Sequence, residues 1–148
     1  MRNNIDSIVR DVTFNASIEH VWQAITCPEK IQLWFGSAAS FKLKEGELGY
    51  FEWQDECEGQ FAMRIESIKA PHYFAWRWMH KQGVAFDEKQ STLVEWSLTS
   101  IENGGTALTL TESGFAQAKH RQENVAGWQQ ELTDLENYML EQCRMIEV

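Results

Sequence analysis

The segment from Ala16 to Phe35 constrains the fold of this chain more than any other part of the sequence. Its apolar residues repeat at the spacing of one helix face: Ile18, Val21, Trp22 and Ile25. Ser17 can cap the start of that helix, and Pro28 cannot continue it but suits the first turn of another. The segment therefore predicts two short helices with a kink between them, the second carrying Trp34 and Phe35.

Around this segment, seven stretches have the alternation typical of short strands. They cover residues 8–14, 41–44, 48–53, 59–68, 73–80, 92–101 and 106–113. Residues 102–105, Glu-Asn-Gly-Gly, accept positive φ angles and predict a tight hairpin between the last two strands. Residues 36–40 and 81–90 are expected to be loops.

The carboxy-terminal part of the chain, from about Ala118, has helical periodicity. Its apolar stripe comprises Val125, Trp128, Leu132, Leu135, Met139, Cys143 and Ile146. The polar face comprises Gln130, Glu131, Asp134, Glu136, Asn137 and Glu141. The stripe needs a partner surface, so we expect an α+β fold, an antiparallel sheet with one wet face and one face under this helix. A glycine in a packed helix costs about 1 kcal/mol relative to alanine, so Gly127 predicts close approach to the sheet.

Hydrophobic alternation assigns the inward face of the sheet. The apolar inward residues are Phe61, Met63, Ile65, Phe74, Trp76, Trp78, Val94, Trp96, Leu98, Leu108 and Leu110, while Met79 is assigned to the wet face. Three polar residues share the inward face: Arg10, His80 and Glu112. A buried charge costs several kcal/mol unless it is paired or hydrated. Three interpretations are open. Arg10 and Glu112 form an internal ion pair, the polar residues lie at a wet rim, or they orient the polar end of a ligand.

Composition and motifs exclude several classes of function. The net charge of −9, without any run of Lys or Arg, disfavours nucleic-acid and membrane partners. Cys27, Cys57 and Cys143 are widely spaced, which argues against a disulfide framework or a zinc site. The acidic stretch at residues 55–58 is typical of a solvated turn rather than a cation site. No nucleotide-binding, zincin or nucleophile-elbow motif occurs, so we expect no metal and no cofactor, in a cytoplasmic protein.

Three groups of residues carry a resemblance to a known family. They are Val21-Trp22 with Pro28 and Trp34-Phe35, Gly105-Thr106 leading into residues 108–115, and Gly127-Trp128. Together they resemble the START-like, SRPBCC or helix-grip superfamily, within its branch of homologues of the heat-shock-protein-ninety ATPase activator. The resemblance implies a single domain over residues 1–148, with a curved seven-stranded sheet gripping the carboxy-terminal helix. Superfamily members bind lipids, steroids, polyketides or plant metabolites, a few are cyclases or hydrolases, and the namesake acts on a chaperone.

Three functions follow as hypotheses. The first is non-catalytic binding of a small hydrophobic or aromatic molecule between the sheet and the last helix, by a monomer or weak homodimer. The second is a co-chaperone or stress-response interaction module, and the third is a cavity enzyme of cyclase or hydrolase type. The first assigns the ligand-binding residues as Trp34, Phe35, Trp53, Phe61, Trp76, Trp78, His80, Trp96, Glu112, Trp128 and Leu132. It assigns no catalytic residue.

Overall fold

The described part of the chain contains one antiparallel sheet, three α-helices and two short 3-10 helices, Glu88–Gln90 and Glu102–Gly104. The computed structural model describes residues 7–35, 37–53, 59–116 and 118–147, with the backbone alone at residues 53, 118 and 143–147. The elements in chain order are β1 (Ser7–Phe14), α1 (Ile18–Thr26), α2 (Pro28–Trp34), β2 (Ala38–Ser40), β3 (Leu48–Trp53), β4 (Gly59–Lys69), β5 (Tyr73–Trp78), β6 (Thr92–Ser100), β7 (Thr106–Ser113) and α3 (Ala118–Glu147). The expected α+β, helix-grip arrangement is confirmed.

The sheet has the order β1-β7-β6-β5-β4-β3-β2, so the first and last strands of the sequence are neighbours. Alternate side chains on its inner strands are buried toward the helices, as hydrophobic alternation predicts. These buried residues include Met63, Ile65, Phe74, Trp76, Trp78, Val94, Trp96, Leu98, Leu108, Leu110 and Glu112. The outer face is polar, with Glu66 paired to Arg64 at 2.8 Å and to Arg77 at 2.9 Å.

The two short helices form where the sequence places them. The Ser17 hydroxyl caps α1 by accepting from the backbone N–H of His20, and Pro28 occupies the first turn of α2. The indole N–H of Trp34 donates to the carbonyl oxygen of Ala24 at 2.8 Å. This bond ties the end of α2 back to α1, so the pair is held as one unit over the sheet.

The predicted strand at residues 41–44 is wrong. The second strand is Ala38–Ser40, within the expected loop, and it pairs with β3. Gly49 of β3 allows a close approach here, because a Cβ at this position would lie 2.6 Å from the Cβ of Phe41. The Phe41 ring turns inward to meet Phe51 at 6.2 Å, and the strand ends before it.

The structure corrects the expectation that Met79 lies on the wet face. Strand β5 ends at Trp78, two residues earlier than expected, and Met79 is buried. The segment after it returns over this residue, so that the backbone N–H of Asp87 contacts the Met79 sulfur at 3.4 Å. Strand alternation therefore no longer applies beyond Trp78.

The turn between β6 and β7 has the predicted positive φ angles. Asn103 has φ 69° and Gly104 has φ 77°. Gly105 has an ordinary φ of −85° and is needed for a different reason. A Cβ there would lie 2.8 Å from the carbonyl oxygen of Phe14.

The expectation that Gly127 permits close helix–sheet approach is wrong. Gly127 is exposed, and a Cβ there would meet nothing within 4 Å. The glycine lies on the solvent side of α3, one residue before the buried Trp128.

Gly127→Ala is therefore expected to raise the free energy of unfolding by about 0.5–1 kcal/mol, because alanine lowers the backbone entropy of the unfolded chain without a clash. Urea unfolding measures this change. Gly105→Ala is the matched control, and its steric clash is expected to destabilise the protein. A destabilised Gly127→Ala variant would contradict the exposed position.

Candidate functional site

Aromatic side chains from the end of α2, from the sheet and from α3 meet at one place. We define the aromatic cluster as Trp34, Phe35, Phe51, Trp76, Trp78, Trp96 and Trp128. Neighbouring ring centroids lie 5.2–6.5 Å apart, within the range of favourable aromatic contacts. All seven side chains are buried. The cluster thus forms the contact between α2, the inward sheet face and α3.

Phe35 lies inside this cluster rather than at an opening. Its side chain is 1% exposed. Its ring is nearly parallel to that of Trp78, at 6.0 Å and 20°, and tilted by 34° to that of Trp128 at 5.8 Å. Trp78 and Trp128 also stack on each other at 5.7 Å, so Phe35, directly after α2, packs against the sheet and α3 at once.

The indole N–H groups of the cluster fall into two classes. Trp34 donates to a backbone carbonyl, and Trp78 and Trp128 both donate to Glu112 at 2.7 Å. The N–H groups of Trp76 and Trp96 are buried and have no hydrogen-bond partner among the described residues. A buried donor without a partner costs about 1–3 kcal/mol.

Glu112 is a fully buried carboxylate surrounded by donors. Its Oε2 accepts from Trp78 Nε1 at 2.7 Å and from Thr92 Oγ1 at 2.5 Å. Its Oε1 accepts from Asn124 Nδ2 at 2.9 Å and from Trp128 Nε1 at 2.7 Å. Two oxygens offer about four acceptor positions, so the protein itself fills them. One side chain of β7 thereby joins β5, β6 and α3.

The internal Arg10–Glu112 ion pair is not formed. In the register of β1 and β7, Glu112 lies opposite Ile8, whereas Arg10 lies opposite Leu110. Arg10 is half-buried, and its guanidinium donates to the carbonyl oxygen of Val9 at 2.9 Å. Hydrogen bonds from neutral donors stabilise the buried Glu112 side chain instead.

His80 lies at the edge of this arrangement. Its Nε2 is 2.8 Å from Thr92 Oγ1 and 3.9 Å from Glu112 Oε2, and its ring stacks on His120 at 5.1 Å. Thr92 has one hydroxyl proton and donates it to Glu112. Its oxygen therefore accepts from His80 in the tautomer that carries the ring proton on Nε2. Burial lowers the pKa of His80, against the opposing effect of Glu112. The neutral ring therefore presents Nδ1 as an acceptor.

The comparisons with known proteins identify the family. The family model described as "Activator of Hsp90 ATPase homolog 1-like protein" matches residues 15–140. The chain belongs to this family. A search of curated proteins finds no match. Within the described residues, no helix is both long and apolar enough to span a membrane.

Solved structures share the fold of this member of the Hsp90 ATPase activator homolog 1-like family. NE0264 from Nitrosomonas europaea has a TM-score of 0.76 at 17% identity, over 96% of this chain and 99% of that one. CalU16 from Micromonospora echinospora has a TM-score of 0.68 at 24% identity, over 95% and 80% of the two chains. DynU16, from the dynemicin biosynthetic locus, has a TM-score of 0.73 at 22% identity. That match covers 90% of this chain but 47% of DynU16.

The remaining candidate residues of this family member lie around the cluster. Leu132 is buried on α3, and Phe61 is half-buried on β4, opposite Phe51 in the register. The Trp53 side chain and residues 55–58 lie outside the described parts of the chain. Among the residues that are described, no three His, Cys, Asp or Glu side chains are grouped to hold a metal ion.

Sequence reasoning missed two partners of Glu112 in this family member. Thr92 shares the inward period of Val94 and Trp96, and Asn124 precedes Trp128 by one helical turn. Both signals were present in the sequence. The hydrogen bonds themselves depend on strand register and on the position of α3, which periodicity does not supply.

Glu131 is a second correction on α3. Helical periodicity predicts it on the polar face, but it is half-buried, and its Oε2 is buried without a hydrogen-bond partner among the described residues. Burial, assisted by the nearby Asp134 charge, raises the pKa of Glu131 to about 8 from an ordinary value of 4.5. Between pH 4.5 and about 8, the native protein therefore retains a proton on Glu131 that the unfolded chain has released.

Glu131→Gln is expected to stabilise the protein at pH 8 but not at pH 4.5. As the pH rises from 4.5 to about 8, the unfolded chain ionises first, so the wild type loses stability that glutamine keeps. The difference at pH 8 should be about 1–3 kcal/mol, because each unit of raised pKa is worth about 1.4 kcal/mol by proton linkage and partial exposure reduces the total. Urea unfolding at both pH values measures it, with the exposed Glu136→Gln as control. An equal difference at both pH values would refute the buried carboxyl.

Proposed function

We propose that the chain binds a small apolar, aromatic-bearing molecule between the sheet and α3, at the aromatic cluster, without transforming it. Small-molecule sites in proteins are mostly apolar, with a few polar groups that set orientation. The cluster supplies the apolar surface, and His80 supplies a polar group at its edge.

The position of Phe35 is the observation that carries this proposal. Its ring packs against both Trp78 and Trp128, at 6.0 Å and 5.8 Å, while those two rings stack on each other at 5.7 Å. Phe35 follows α2, and the joined helices α1 and α2 take no part in the strand pairing, so a shift of this pair would leave the sheet intact. A ligand ring entering in its place would gain the same aromatic contacts, worth about 0.5–1.5 kcal/mol each beyond burial.

Glu112 supports the same proposal indirectly. Because it holds the indole N–H groups of both Trp78 and Trp128, it fixes the stacked pair of rings against which Phe35 packs. Rings fixed before a ligand arrives lose little conformational entropy on binding. We propose that Glu112 acts on the ligand through these two tryptophans, since protein donors already fill its own acceptor positions.

Truncation of Phe35 tests the proposal. Phe35→Ala should leave a dry apolar cavity of the kind that binds benzene, so benzene should raise the melting temperature of the variant more than that of the wild type. The neighbouring Leu33→Ala, at a residue 68% exposed, is the matched control. Phe35→Leu serves if the alanine variant does not fold. In the wild type, fluorene should quench tryptophan emission at micromolar concentrations.

Absence of both effects would contradict ligand binding at the cluster. If benzene leaves the melting temperature of the Phe35 variants unchanged and fluorene does not bind the wild type, the aromatic cluster is a filled hydrophobic core and not a binding site. The interaction-module hypothesis, in which the chain acts on a chaperone or another protein, would then replace this one.

A further inference from the structure

We infer that the ligand carries a neutral carbonyl group, which accepts hydrogen bonds from the indole N–H groups of Trp76 and Trp96. This inference rests on the proposed function and specifies the chemistry of the molecule bound. It follows from the two donors in the cluster for which the described residues provide no acceptor.

The two indole rings that carry these donors are close together and inaccessible to solvent. Trp76 and Trp96 lie on the neighbouring strands β5 and β6, diagonally across the ladder, and their ring centroids are 5.8 Å apart. Their side chains are 1% and 0% exposed. Every other indole N–H of the cluster has a protein acceptor, as shown by Trp34, Trp78 and Trp128. The two free donors are therefore a local property of this part of the inward face.

The charge around the cluster favours a neutral acceptor over an anion. None of the seven cluster residues is basic, and Trp78, two residues from Trp76 on the same strand face, is bonded to the buried Glu112 carboxylate. A ligand carboxylate would lose its hydration beside a like charge without a cation to pair with. A carbonyl oxygen has two lone pairs and no charge, so it can accept from one or both indoles at a lower desolvation cost.

Donation into neighbouring rings is the competing explanation. The Trp96 ring is nearly perpendicular to those of Trp34 and Trp128, at 82° and 84°, an orientation that permits weak N–H···π contacts. Such contacts are second-order compared with an N–H···O=C bond. A carbonyl ligand would replace them, whereas a hydrocarbon of the same shape would not.

Fluorene and 9-fluorenone form the matched pair for the test, since they share a tricyclic skeleton and differ in CH₂ against C=O. We expect fluorenone to bind about tenfold more tightly, the equivalent of one hydrogen bond of ordinary strength. In ¹H–¹⁵N spectra of the wild type, the indole N–H signals of Trp76 and Trp96 should move downfield with fluorenone only. Those of Trp34, Trp78 and Trp128, which already have acceptors, should show no such ketone-specific shift.

The variants Trp76→Phe and Trp96→Phe remove the donors and keep an aromatic ring. Each variant should still bind fluorene, while the ratio of its affinities for fluorenone and fluorene falls toward one. The control Trp22→Phe, at a residue outside the cluster, should keep the tenfold ratio. Equal binding of the two probes with unmoved indole signals would overturn the carbonyl inference while leaving aromatic binding intact. Failure of both probes to bind would overturn the proposed function and the inference with it.

Discussion

Glu112→Gln is expected to lower the free energy of unfolding by about 3–5 kcal/mol. The amide keeps one acceptor oxygen but turns an NH₂ group toward donors, so two of the four hydrogen bonds are lost. A hydrogen bond to a charged group contributes about 1.5–3 kcal/mol. Urea unfolding monitored by circular dichroism measures the change.

The control for this variant is Glu141→Gln, at an exposed position of α3, which should stay within about 0.5 kcal/mol of the wild type. A Glu112→Gln variant within about 1 kcal/mol of the wild type would mean that the carboxylate does not hold the sheet and α3 together. The four hydrogen bonds described for it would then carry little net energy.

Trp128→Ala is expected to cost at least about 3–5 kcal/mol, the usual range for truncating a buried tryptophan. The variant also leaves Glu112 Oε1 short of one donor. For a chain of this size the melting temperature should fall by roughly 10 °C or more. Trp128→Phe separates the two contributions, because it keeps an aromatic ring and loses the indole N–H; it should cost about 1–3 kcal/mol.

Leu140→Ala, at an exposed position of the same helix, is the control for Trp128 and should leave the melting temperature nearly unchanged. If Trp128→Ala melts within a degree or two of the wild type, then α3 does not depend on this contact.

The secondary structure was predictable from the sequence wherever one periodicity ran through a whole element. Thr106–Ser113 alternates without interruption between buried and half-buried residues, and its predicted limits are confirmed. The prediction failed where chain geometry overrides the pattern. The close approach at Gly49 moves β2 before Phe41, and the segment after Trp78 covers Met79.

The candidate site was predictable only in part. Glu112 stood out because a carboxylate on an apolar strand face needs compensation. The sequence suggested Arg10 as its partner, since opposite charges are the simplest pairing. The actual partners are neutral donors, Trp78 and Trp128 among them, brought together by register and helix placement. Such contacts join residues far apart in the chain, so no local pattern reveals them.

Gly127 and Glu131 show the same limit on α3. Helical periodicity places a residue on a face of the helix but not at a depth within the fold. Gly127 was expected against the sheet and is exposed, while Glu131 was expected in solvent and is half-buried. The rotation and tilt of α3 against the sheet decide which side chains are covered, and periodicity does not supply them.

Intermolecular NOEs to fluorene would test most directly the claim that a small aromatic molecule binds between the sheet and α3. The protein would carry ¹³C-labelled Leu and Met methyl groups. We predict NOEs from the fluorene ring protons to Leu132 and Leu135 of α3 and to Met63 of β4, all of which are buried. NOEs confined to exposed leucines such as Leu33 and Leu140, or no NOEs at all, would contradict it.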